Sequence, residues 1–144
     1  MNTPATPAPA SSRRIGRSIL ALAIGFAVNF GLTLATDVAM QAAHILPALG
    51  TWMTNQQCAI ATAYRTLYAI YTSWIVARLA PHSPVGHALT GAGIGMLIAA
   101  VGTIVTWNQN LGPHWYPITL VVLALPSGWL GGKFRVMRIA KAGA

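Results

Sequence analysis

The sequence predicts an all-α integral membrane protein, a bundle of four transmembrane helices with both termini on the cytoplasmic side. Three observations point there. Of the 144 residues 55% are hydrophobic and only 7% are charged, against about 25% charged in a soluble domain. So little charge fits a chain whose main solvent is lipid. Four apolar stretches are separated by proline, glycine and polar breaks, and about 20 residues span the roughly 30 Å hydrocarbon core of a bilayer. Finally, eight of the nine Lys and Arg residues fall at positions that alternating helices bring to one side.

Taken in order, residues 1–12 are rich in Pro, Ala, Thr and Ser and read as a disordered cytoplasmic tail. A single transmembrane domain follows over 13–132, and residues 133–144 form a basic cytoplasmic tail. Helix 1 is the apolar run over 15–35. A signal-peptide reading competes, since Ser12-Arg13-Arg14 begins like a twin-arginine signal. Gly16 stands where that signal wants a large apolar residue, and the run exceeds the usual apolar core of a signal peptide. Retention as a helix is therefore expected. Pro47 and Gly50 break the chain into a loop over 45–57. Helix 2 covers 58–79, and the two prolines of Ala80-Pro81-His82-Ser83-Pro84 stop it. Helix 3 covers 85–106. After a polar, uncharged connection over 107–114, helix 4 opens at Tyr116-Pro117, where the missing N–H of proline does little harm. It is expected to kink at Pro126 and to end at Gly131-Gly132. That leaves it short for a span, with Lys133 or Arg135 reaching towards the interface.

Arg13, Arg14 and Arg17 precede helix 1, Arg78 ends helix 2, and Lys133, Arg135, Arg138 and Lys141 follow helix 4. The two connections on the opposite side carry no Lys or Arg. The positive-inside rule then puts both termini and the middle turn in the cytoplasm. Trp52, Trp107, Trp115 and Tyr116 fall near the outer interface and Trp129 near the inner one, where amphipathic rings prefer to sit. A net charge of +8 raises the question of nucleic acid, but the charges cluster at helix ends, and no nucleic-acid partner is expected. The basic tail could lie on an anionic leaflet or simply fix orientation. Cys58 is the sole cysteine, which excludes an internal disulfide or CxxC site. It is expected at the outer face.

Asp37 is the only acidic residue, and Arg65 is the only basic one placed within the bilayer. Asp37 lies in a polar stripe on helix 1: Asn29, Thr33, Thr36, Asp37, Gln41 and His44 share one side. Polar groups are unfavourable in lipid, so this stripe should face the bundle interior or a wet cavity. Two accounts stay open, a solute or proton path and interhelical hydrogen bonding. On helix 2, Tyr64, Tyr68 and Tyr71 follow one another at spacings of four and three beside Arg65. They read as packing residues or as an aromatic wall for a ligand. Arg65 can snorkel outward to meet Asp37. The candidate intramembrane cluster is thus Asn29, Thr33, Asp37, Gln41, Arg65, Tyr64 and Tyr68. Gly91, Gly95, Ala99 and Gly102 form a smooth stripe on helix 3, expected to pack closely against another helix or another subunit.

No paired carboxylates, Ser-His-Asp set or Cys-His set is credible for catalysis, so no enzyme is expected. Of the histidines, His44 and His114 are outer and His82 and His87 inner. His44 with His114 is the one pairing worth weighing for a metal, and no spacing motif supports it. No cofactor or metal is expected.

Several stretches resemble a family of small bacterial inner-membrane proteins with no assigned activity. These are Ala63-Tyr64-Arg65, Ala77-Arg78-Leu79-Ala80-Pro81, Pro84 with His87-Ala88, Gly112-Pro113-His114-Trp115-Tyr116-Pro117, and Trp129-Leu130-Gly131-Gly132. The resemblance covers residues 60–132 and implies four helices and a multi-pass location in the bacterial inner membrane. The small multidrug exporters are similar in size, but they rely on a membrane-embedded glutamate that this chain lacks. The expected role is structural or interactive, with the lipid bilayer and self-association as the partners. The alternative is a small-solute or ion permease acting as a homo-oligomer, its substrate unassigned.

Overall fold

Four helices form in sequence: α1 (Ala10–Ala42), α2 (Asn55–Leu79), α3 (Pro84–Thr106) and α4 (Trp115–Ala142). This computed structural model describes residues 10–142, with side chains described from Ile15 onward. Each connection reverses the chain, so α2 and α4 run parallel to one another and antiparallel to α1 and α3. Of the tail expected over residues 1–12, residues 1–9 lie outside the described residues, and Ala10 to Ser12 belong to α1 instead of a disordered tail.

Helix ends follow local chemistry. Thr54 caps α2: its hydroxyl accepts from the Gln57 N–H, while Gln57 Oε1 accepts from the Thr54 N–H at 2.9 Å. This reciprocal box satisfies two amide donors that the first helical turn leaves over. At the other end of α2, Ala80 is already extended, as a residue before proline prefers. Ser83 adopts a left-handed φ of 43° to turn the chain, and Pro84 opens α3. Two cross-links tie the connections at the opposite end. The Met53 N–H donates to the Leu111 carbonyl at 2.9 Å, and Trp115 Nε1 donates to Asn55 Oδ1 at 2.9 Å. We call this the loop end, and the end carrying Ala80 to Ser83 the basic end.

Packing is inverted relative to a water-soluble bundle. The buried apolar residues are mostly small, among them Ala21, Ala61, Ala77 and Ala88, whereas Phe30 is 70% exposed, Leu67 64% and Ile104 75%. Large side chains outside and small ones inside suit helices that associate in lipid, where close backbone approach replaces the hydrophobic drive. Three helices are long and apolar enough to cross a membrane: α1 over Ile15–Ala42, α3 over Pro84–Thr106 and α4 over Trp115–Ala142. The fourth expected span, α2, has 25 residues but is not apolar enough to join them by composition. Arg65 and its Thr and Tyr residues lower its hydropathy. It can carry them because it touches all three other helices.

Two boundaries differ from the sequence expectation. α1 continues past residue 35 to Ala42, because Thr36 and Asp37 find partners on α2 and nothing breaks the helix before His44, whose φ is 56°. α4 does not stop at Gly131-Gly132 but runs to Ala142, taking most of the expected basic tail into the helix. Glycine inside a helix is worth about 1 kcal/mol less than alanine. Here the glycines are packing sites. A Cβ on Gly128 would lie 2.3 Å from Ala92 Cβ, one on Gly131 2.4 Å from the Ile70 carbonyl oxygen, and one on Gly132 3.0 Å from Val85 Cα. α4 therefore presses directly on the α2 and α3 backbones.

The α3 stripe sits differently. A Cβ on Gly91 would lie 3.1 Å from Leu22 Cδ2, one on Gly95 3.9 Å from a Phe26 ring carbon, and Gly102 has nothing within 4 Å. The tightest backbone approaches are those of α4, because α1 stands off from α3 across a cavity. Among the described residues, no α1 Cα comes within 8 Å of an α4 Cα.

Gly131→Ala is expected to lower stability by about 1–3 kcal/mol through overpacking. Gly102→Ala should be neutral or stabilise by about 0.5–1 kcal/mol through helix propensity. Melting of both variants and the parent in a mild detergent checks the pair, and equal melting would remove the distinction.

Candidate intramembrane polar site

The site is built where α1 and α2 cross. Asp37 lies five residues before the end of α1, and Arg65 lies ten residues into α2, about 15 Å from its start at 1.5 Å per residue. Arg65 Nη2 donates to Asp37 Oδ2 at 2.7 Å. The Tyr64 hydroxyl donates to the other carboxylate oxygen, Oδ1. Both oxygens of the only acidic side chain are thus engaged by consecutive α2 residues. The Asp37 side chain is only 16% exposed. Burying an isolated carboxylate is strongly unfavourable, whereas pairing and hydrogen bonding offset much of that penalty.

Around the pair, Tyr68 and Thr36 share a hydrogen bond of 2.8 Å between their hydroxyls, one helical turn below. The rings of Tyr64 and Tyr68 lie 5.8 Å apart at 53°. Tyr64 packs with Leu46 and Ala61 in a small core that Met40, Met53, Tyr68 and Tyr116 border. The third tyrosine of the predicted stripe leaves the group: Tyr71 is 50% exposed and stacks on Trp74.

Two cavities meet at this crossing. The lower one, about 230 Å³, lies between all four helices and is lined by Asn29, Thr33, Arg65, Thr66, Ser73 and Ser127 among apolar residues. The upper one, about 240 Å³, opens among the loops and is lined by Asp37, Gln41, Tyr64, Arg65, His114 and Tyr116. Arg65 borders both. Asn29, Arg65 and Thr66 line this lower cavity, and beside it Asn29 Oδ1, Arg65 Nε and Thr66 Oγ1 are buried without a hydrogen-bond partner in the protein. Buried polar atoms are rarely left so.

The structure therefore distributes the predicted cluster rather than gathering it at one point. Asp37, Arg65 and Tyr64 meet directly, and Tyr68 joins through Thr36. Asn29 and Thr33 face the lower cavity and Gln41 the upper. The helix 3 residues Gly91, Gly95 and Ala99 line the lower cavity, which small side chains leave open. Sequence reasoning missed Tyr116, Thr66 and Ser127. Ser127 is only 2% exposed, and its signal was a lone hydroxyl between Pro126 and Gly128 on an apolar helix. Cys58, expected at the outer face, is fully buried in the first turn of α2 near Gly112. His114 packs on Trp107 with ring centres 4.3 Å apart, and His44 ends α1. No group of three or more His, Cys, Asp or Glu able to hold a metal occurs among the described residues.

No family model, curated protein or solved structure matches the chain.

Asp37→Asn and Arg65→Gln should each destabilise the protein, since removing one partner strands the other. The double variant should lose less than the sum, by about 0.5–2 kcal/mol, within the range for interacting neighbours. Tyr64→Phe should cost about 1.5–3 kcal/mol, the value of a hydrogen bond to a charged group. Detergent melting of the full cycle reads all three, and strict additivity of Asp37→Asn with Arg65→Gln would show that the contact carries no energy.

Proposed function

We propose that this chain is a non-enzymatic, multi-pass membrane protein that passes a small polar solute or ion through its own bundle, with the Asp37–Arg65–Tyr64 contact as the barrier. The observation that carries this reading is that one residue, Arg65, lines both cavities while its guanidinium closes on Asp37 between them. A solute in the lower cavity would meet a wall that includes the polar residues Asn29, Thr33, Arg65, Thr66, Ser73 and Ser127. That set offers donors and acceptors at low water content, where each is worth more than in bulk. Passage to the upper cavity requires the ion pair to part, which makes opening energetically demanding and hence controllable.

All four helices cross the membrane in this reading. α2 enters as the polar member of the bundle because α1, α3 and α4 cover it. Both termini lie in the cytoplasm. Arg17, Arg78 and the α4 residues Lys133, Arg135, Arg138 and Lys141 share the basic end, and the loop end carries Trp52, Trp107 and Trp115. A bacterial inner-membrane location rests on this charge bias and on the resemblance of residues 60–132 described above.

The competing reading is a structural or interaction role with no solute path. Its support is the close glycine packing of α4 on α2 and α3. Water access separates the two. In a Cys58→Ser background reconstituted in liposomes, Gln41→Cys should react with a membrane-impermeant thiol reagent from the loop side. Thr33→Cys should react only from the basic side. Adding Asp37→Asn with Arg65→Gln should open Thr33→Cys to the loop side, with a rise of roughly tenfold, the effect of about 1.4 kcal/mol on a barrier. Inertness of Thr33→Cys from both sides in both backgrounds would mean a dry interior and favour the structural role.

A further inference from the structure

The basic end holds an arrangement that the solute path does not use. Gly131 sets α4 directly on the α2 backbone, since a Cβ there would lie 2.4 Å from the Ile70 carbonyl oxygen and 2.8 Å from the Trp74 nitrogen. The two helices run parallel, so the next turns of α4 descend beside the last turns of α2. Arg138 lies seven residues beyond Gly131 and Arg78 four beyond Trp74, spacings that keep each on the same helix face. The result is convergence: the guanidinium carbons of Arg78 and Arg138 each lie 5.5 Å from the centre of the Trp74 ring. A single indole attracts a cation to its face, but two cations drawn to one ring repel each other. No side-chain carboxylate can balance them, because the only one in the chain, Asp37, is bound to Arg65 in the upper part of the bundle.

The surface leading to this pair is apolar. Leu67, Tyr71, Trp74 and Arg78 follow at spacings of four, three and four, which places them along one face of α2. Leu67 is 64% exposed, Tyr71 50%, and Tyr71 stacks on Trp74 with ring centres 6.0 Å apart. An extended apolar track thus ends in an indole and two guanidinium groups. We infer that this face binds an anionic phospholipid, its phosphate held between Arg78 and Arg138 and its acyl chain lying along Tyr71 and Leu67. The guanidinium fork matches phosphate geometry, and Trp74 lies in the last turns of α2, five residues before its end at Leu79. The inference rests on the membrane placement proposed above but not on the solute path.

The full chain in a mild detergent at moderate salt tests it by native mass spectrometry with three probes: phosphatidylglycerol, phosphatidylcholine of the same acyl chains, and inorganic phosphate. Phosphatidylglycerol should be retained over phosphatidylcholine. Arg78→Gln and Arg138→Gln should each lower that retention by roughly fivefold, the effect of one arginine at a charged membrane surface. Lys141→Gln, which removes the same charge outside the pair, should leave it nearly unchanged. If Arg138→Gln does not give a monodisperse protein, Arg78→Gln alone reads the same pair. Equal retention of the two lipids would overturn the proposal. So would equal losses in Lys141→Gln and the arginine variants, which would mean diffuse attraction, and so would displacement of the lipid by millimolar inorganic phosphate, which would mean a soluble-anion site. Loss of water access in the liposome labelling assay leaves this result unaffected, so the two proposals fail separately.

Discussion

Everything in this bundle accommodates one contact, the ion pair between Asp37 and Arg65. Charged groups within an apolar span carry a penalty that reaches about 2.5–3.5 kcal/mol each at its centre on insertion scales and falls towards the interface, near which Asp37 lies at the end of α1. The chain meets that penalty by satisfying every oxygen of the carboxylate from α2, one from the Arg65 guanidinium and one from the Tyr64 hydroxyl. The consequence is geometric. α1 and α2 can slide past each other only at the expense of that contact, so it fixes their register. Thr36 with Tyr68 and Gly25 against Val76 then follow along the same crossing.

Helix α1 shows what the pair has to accomplish. It is the most loosely held of the four, touching α2 and α3 and making no close approach to α4 among the described residues. Much of its surface is apolar and exposed, with Ile19 at 62% and Phe30 at 70%. The other three helices are locked by backbone proximity, which α4 achieves through Gly128, Gly131 and Gly132. The bundle thus joins a closely packed trio to a fourth helix held by polar contacts and by Gly25 against Val76. The lower cavity lies at the seam between them.

That seam gives the ion pair a second consequence. A contact that neutralises two buried charges is also an obstacle between the two spaces it borders. Residues such as Asn29 and Thr66 keep unpartnered polar atoms below it, whereas Gln41 and Tyr116 line the space above. Polar surroundings on both sides lower the desolvation penalty of the pair. At the basic end the balance is reversed. Arg78 and Arg138 have no side-chain carboxylate to meet, because the only one in the chain, Asp37, is bound to Arg65.

Much of this was determined by the sequence alone. Composition pointed to an all-helical chain for lipid, proline and glycine breaks placed the connections, and the clustering of Lys and Arg at one set of helix ends supplied the expected orientation. The scarcity of charge made Asp37 and Arg65 an obvious pair to test, because each had only one possible partner. Helix boundaries were less legible. A glycine pair reads locally as a stop, and only contact with the α2 and α3 backbones turned Gly131 and Gly132 into the interior of α4. Likewise, Gly91, Gly95 and Ala99 share a face by periodicity, but periodicity cannot say whether a neighbour fills the space before them. Only the tertiary structure left that space open as a cavity, and only it brought Tyr116, Thr66 and Ser127 to the site from positions far apart in sequence. The physical reason is the same in each case. Spacing along one helix specifies which residues share a face, whereas what that face meets depends on how closely separate backbones can approach.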